Sequence, residues 1–72
     1  MELTLNKLPM MIDAIILSNP NQRQVDLGLG VGTRVRIISR GLFNGPIAIQ
    51  FGQSCFAFRP NEVDNVYVEI IQ

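Results

Sequence analysis

The fold turns on the stretch Arg34-Val35-Arg36-Ile37-Ile38-Ser39-Arg40-Gly41-Leu42-Phe43-Asn44-Gly45-Pro46-Ile47-Ala48-Ile49-Gln50-Phe51. Its first seven residues alternate: Val35 and Ile37 point one way, and Arg34, Arg36 and Arg40 point the other, as in a half-buried strand. Gly41 to Pro46 then read as a turn, with Asn44-Gly45 the strongest signal. Ile47, Ile49 and Phe51 resume the alternation against Ala48 and Gln50. Two alternating segments joined by a short Gly- and Asn-containing turn predict an antiparallel hairpin.

Working outward, Gly52-Gln53 suits a two-residue turn into a further strand, Ser54-Cys55-Phe56-Ala57-Phe58-Arg59, with Phe56 and Phe58 on its core face. Pro60-Asn61-Glu62-Val63 reads as one helical turn. A last strand runs from Val66 to Ile71, with Val66, Val68 and Ile70 on one face. Upstream, Asp13 to Ser18 is a short apolar run bounded by turn formers and reads as the first strand. Asn19 is expected to cap a short helix with Pro20 at its first position, running through Gln22 to Leu27, with Gly28 as its C-terminal cap. Leu5 and Leu8, three residues apart, suit a helical turn pointing both inward. Five short strands with brief connections predict an all-β fold, a small closed barrel or sandwich whose core includes Val35, Ile37, Ile49, Phe56, Phe58 and Val68.

Composition narrows the function. The chain has 72 residues, 47% of them hydrophobic, which is one domain, residues 1–72, with a thin core. Six basic side chains balance six acidic ones, so the field that draws proteins to nucleic acid is missing. There is no histidine and no tryptophan. A Ser-His-Asp or Cys-His arrangement is therefore impossible within the chain, as is a histidine-ligated metal site. The single cysteine, Cys55, cannot close an internal disulfide, which fits a reducing compartment. Gly28, Gly30 and Gly32 lead from helix into strand, the reverse of a dinucleotide-binding loop. These exclusions predict a binding module rather than an enzyme, with no cofactor and no metal site.

Three groups remain as candidates. Glu62 and Asp64 are either weak ligands for a hard cation or, as is usual, solvated charges. Arg34, Arg36 and Arg40 are either a stripe that meets phosphates or an acidic partner, or a solvated face pairing with Glu69 or Asp26. Leu42 and Phe43 sit beside a turn and either fold back onto the barrel or form an apolar contact patch.

The run Asp26-Leu27-Gly28-Leu29-Gly30-Val31-Gly32-Thr33-Arg34-Val35 resembles the signature of the FeoA family, small accessory proteins of bacterial ferrous iron uptake. Gly45-Pro46-Ile47, Phe56-Ala57-Phe58-Arg59, Glu62-Val63 with Val66-Tyr67-Val68, and Leu5-x-x-Leu8 follow that family's pattern in order. Three places depart from it: Val31 where a proline is usual, Asn21 to Gln24 in the short helix, and Met10-Met11-Ile12. The resemblance implies an SH3-like five-stranded barrel with one short helix after the first strand, located in the cytoplasm. It also implies protein–protein contact with the membrane ferrous iron transporter FeoB; the candidate contact residues are those read above from the strand and turn pattern, Leu42, Phe43, Arg34, Arg36 and Arg40, with a homo-oligomer as an option. No direct insertion into the membrane is expected. The same barrel occurs in some iron-dependent repressors, so a nucleic-acid-binding or repressor-type regulatory module is the alternative.

Overall fold

The computed structural model describes residues 2–71. Its strands are β1 (Glu2–Thr4), β2 (Asp13–Ser18), β3 (Arg34–Arg40), β4 (Ile47–Phe51), β5 (Ser54–Phe58) and β6 (Tyr67–Ile70). They form a six-stranded sheet in the order β1-β6-β2-β3-β4-β5, with every named pair antiparallel. One helix, α1 (Gln22–Leu27), joins β2 to β3, and single 3-10 turns occupy Leu5–Lys7 and Pro60–Glu62.

The alternation of β-branched and polar residues does the sorting. Registers Ala14↔Val35, Ile16↔Val68 and Ile37↔Ile49 set apolar side chains opposite one another, and all six are fully buried. Leu5, Leu8, Leu29, Val63 and Val66 close the same core from the connections. Each such side chain contributes about 1.5–3 kcal/mol by leaving water, which a chain this short needs to offset its ordering entropy.

The all-β architecture with one short helix is the expected one, and the structure refines it in four places. The described residues form six strands rather than five, because Glu2–Thr4 pairs with β6. Three residues with a single leucine between polar neighbours carry no readable period, so the partner strand decides. The hydrogen-bonded order therefore runs open from β1 to β5.

Asn21, not Asn19, occupies the N-cap position of the helix, without a side-chain capping bond. Asn19 instead braces the connection: its Oδ1 accepts from the Asn21 N–H at 2.9 Å, and its Nδ2 donates to the Leu29 carbonyl at 2.8 Å. Gly28 does end the helix, at φ +120°, and a Cβ there would lie 2.9 Å from the Phe51 ring. The residue that docks α1 is Gln24, whose Nε2 donates to the Glu62 carbonyl at 2.6 Å. Leu27 is exposed.

Phe56 was expected in the core and is 41% exposed. It lies opposite buried Ile49, on the inner face, but β5 is the sheet's edge and no strand lies beyond it. Its cover is the Phe51 ring, stacked with centroids 5.7 Å apart.

Candidate functional site: an apolar hairpin tip and a dispersed arginine group

The three arginines of β3 do not form one stripe. The register between β3 and β4 slips between Ile37 and Ser39, a bulge that adds a residue to one strand and reverses the alternation beyond it. Arg36 pairs with exposed Gln50, whereas Arg40 pairs with buried Ile47, so the two arginines point to opposite faces. Arg40 is anchored there, its Nη2 donating to the Leu8 carbonyl.

Arg36 is engaged as well. Its Nε donates to Asp13 Oδ1 at 2.7 Å and its Nη2 to Asp13 Oδ2 at 3.1 Å, a two-pronged ion pair tying β3 to β2. The hydrogen bond from Arg36 is the main reason the Asp13 carboxyl is held below its ordinary value; desolvation opposes it, and the charges of Arg36 and Arg34 reinforce it. Among the described residues this is the one ion pair, so the expected partners Glu69 and Asp26 are not used. Asp26 accepts from Gln22 Nε2 instead. Arg34 is exposed. It borders a groove of about 520 Å³ lined also by Asp13, Thr33, Arg36, Gln50 and Phe51.

Glu62 has a local job: its Oε1 accepts from the Arg59 N–H at 2.7 Å and closes the turn at Pro60. Among the described residues, no cluster of three or more His, Cys, Asp or Glu gathers in a metal-binding arrangement.

The β3–β4 connection is different. Gly41 N–H donates to the Pro46 carbonyl at 2.9 Å and Gly45 N–H to the Leu42 carbonyl at 3.0 Å. The central residues of the turn are thus Phe43 and Asn44, at φ 53° and φ 61°, one position earlier than Asn44-Gly45. The neck explains the shift. A Cβ on Gly41 would lie 3.0 Å from the Gly45 backbone, and one on Gly45 would lie 3.0 Å from the Leu42 carbonyl. Both glycines are needed for close approach, so the left-handed positions fall on Phe43 and Asn44. Asparagine tolerates that region; phenylalanine at positive φ is an outlier of the kind that gathers at functional sites.

The tip does not fold back. Leu42 is 83% exposed and Phe43 98% exposed, which resolves the alternative left by the sequence in favour of a projecting apolar pair. Sequence reasoning missed a second exposed apolar group: Met10 bridges to Ile37, Met11 N–H donates to the Ile37 carbonyl at 2.8 Å, and Met10, Met11 and Ile38 are all exposed. The consecutive apolar residues Met10-Met11-Ile12 were the available signal, read only as a departure from a pattern.

A small antiparallel sheet with one short helix, a bulged central hairpin and an exposed apolar tip defines a β module of the SH3-like class. The chain belongs to the FeoA-domain family, whose model matches residues 11–70. It is similar to the zinc-complexed FeoA of Stenotrophomonas maltophilia at 32% identity and TM-score 0.79, over 93% of this chain and 89% of that one. That relative is described as a prokaryotic SH3 domain protein and a candidate activating factor of bacterial ferrous iron transport. A second solved relative, an iron uptake regulatory protein (FeoA), shares 25% identity at TM-score 0.85 over 99% of each chain. The fold alone is shared with FeoA of Chlorobium tepidum, at 24% identity and TM-score 0.87 over 97% of this chain and 71% of that one. No curated protein matches the chain. Among the described residues, no helix is long and apolar enough to cross a membrane.

Proposed function

We propose that this chain is a non-catalytic accessory module of ferrous iron uptake that works in the cytoplasm by binding an FeoB-type membrane transporter. The observation that carries the reading is the Leu42–Phe43 tip: a large apolar pair held in solvent by a glycine neck, with Phe43 in a backbone region that phenylalanine avoids. The neck glycines set that conformation, and the core uses neither side chain, which leaves both available to a partner. Family membership supplies the transport context, and the S. maltophilia relative supplies the activating role.

The arginines divide in this reading. Arg34 stands free to meet an acidic rim on the partner, while Arg36 and Arg40 hold the strand that presents the tip. The nucleic-acid alternative is the weaker reading, since Arg40 lies on the opposite face from Arg34 and Arg36, and Arg36 is paired with Asp13.

The test is a pull-down and calorimetric titration with the cytoplasmic GTPase domain of the transporter. Leu42→Asp with Phe43→Asp is expected to leave the thermal unfolding of the module nearly unchanged and to weaken binding at least about a hundredfold, as loss of a central apolar anchor does. Full binding by that variant removes the tip from the site.

A further inference from the structure

We infer that β5 is a self-pairing edge, through which two copies of this chain join their sheets antiparallel about a two-fold axis at Phe56. The two ends of the sheet differ in how they are guarded. β1 is three residues long and carries Glu2, set opposite Glu69; charge and brevity are the usual protections of an edge. β5 has neither. It is five residues of Ser54-Cys55-Phe56-Ala57-Phe58, with no charge, no proline and an unbroken register against β4.

The hydrogen-bonding groups of β5 can be assigned. Phe51 and Ser54 face each other across the two-residue turn Gly52-Gln53, and in such a hairpin the flanking pair exchanges both backbone bonds. Alternation along the ladder then directs Ser54, Phe56 and Phe58 to β4. Cys55 and Ala57 are left with N–H and C=O groups facing outward, and both residues are exposed.

A second copy matches that pattern. Centred on Phe56, Cys55 lies opposite Ala57 of the second copy, so each donates an N–H to the other's carbonyl, and the two-fold axis repeats both bonds. Registers centred one residue either way set an outward residue against Gln53 in the turn or against Arg59, which caps the next turn. Only the Phe56-centred register keeps outward groups paired within both strands. It also places Phe56 directly against Phe56 of the second copy at a closely spaced position, Cα atoms about 4.5 Å apart, which covers the ring that the edge leaves 41% exposed. The formal net charge of zero adds no long-range repulsion between copies. Cys55 falls out of register with its own copy, so the association needs no disulfide.

Sedimentation equilibrium of the full chain over a concentration series in reductant, with backbone amide exchange followed by NMR on the same samples, tests this. The expected result is reversible dimerisation, with the Cys55 and Ala57 amides slowing as concentration rises while those of Ser54, Phe56 and Phe58 do not change. Ala57→Pro deletes an outward donor that β4 does not use, and Phe56→Lys sets like charges directly opposite. Each is expected to weaken self-association at least about tenfold, and either one, folded by circular dichroism, suffices to decide. A monomer at every concentration overturns the inference. So does a dimer that reductant dissolves or that either variant, folded, leaves intact. Cys55 and Ala57 amides protected only on adding the transporter's cytoplasmic domain overturn it in favour of strand addition by that partner. Because Leu42 and Phe43 are intact in both variants, failure here leaves the tip reading standing.

Discussion

Two connections of this chain look alike on paper. Gly28-Leu29-Gly30-Val31-Gly32 and Gly41-Leu42-Phe43-Asn44-Gly45 are both five-residue, glycine-punctuated and leucine-bearing. In the structure Leu29 is fully buried and Leu42 stands in solvent. The first connection is bonded to distant parts of the chain. Gly32 N–H donates to the Ile16 carbonyl at 2.8 Å, Ile16 N–H to Thr33 at 3.0 Å, and Asn19 holds the Leu29 carbonyl. The second is bonded only to itself, across its own neck. A loop tied into the sheet makes its leucine part of the core; a loop that closes on itself can only present it.

The largest effect that separates the two is on stability. Leu29→Ala is expected to cost about 2–5 kcal/mol in urea unfolding, as core truncations do, a large part of the few kcal/mol available to so small a domain. Leu42→Ala is expected to shift stability by no more than about 0.5 kcal/mol. Equal losses at the two sites would erase the distinction.

A smaller effect has the opposite sign. Phe43→Gly relieves a side chain from the left-handed region, worth roughly 1–2 kcal/mol, and gives back part of that in chain entropy. The net expectation is a gain of up to about 1 kcal/mol in unfolding free energy, together with weaker binding to the transporter domain. A variant that is less stable than the parent would show that Phe43 packs on the fold after all.

The smallest effect lies beneath the tied side. The folded pKa of Asp13 is depressed by its bonds to Arg36, so the pair contributes stability that is fully present above the ordinary carboxyl range near pH 4 and is lost as pH falls through the folded value. Asp13→Asn is expected to lower the melting temperature slightly at neutral pH, with the gap to the parent closing in acid. A gap that stays constant down to pH ~2 would mean the pair is not what the substitution removes.

Much of this is legible in the sequence. An apolar run located β2 and alternation located β3 to β6 within a residue or two, and Gly28 and Gly52-Gln53 ended their elements where expected. The absence of histidine set the limits on chemistry. The arginine stripe was misread for a definite reason. A bulge between Ile37 and Ser39 reverses the faces downstream, and it arises from the register against β4 rather than from anything in β3 alone. Phe56 was misplaced in the same way, since a strand's pattern says which side chains face inward but not whether the sheet continues beyond it.

Local chemistry, acting over two to four residues, determined which segments extend and which turn, and excluded chemistry that needs histidine. The tertiary structure alone decided the strand order, the open edge at β5, the fates of Arg36 and Arg40, and the exposure of Phe43. Those depend on which chains lie alongside each other, and pairing between residues far apart in sequence is settled by the whole core at once.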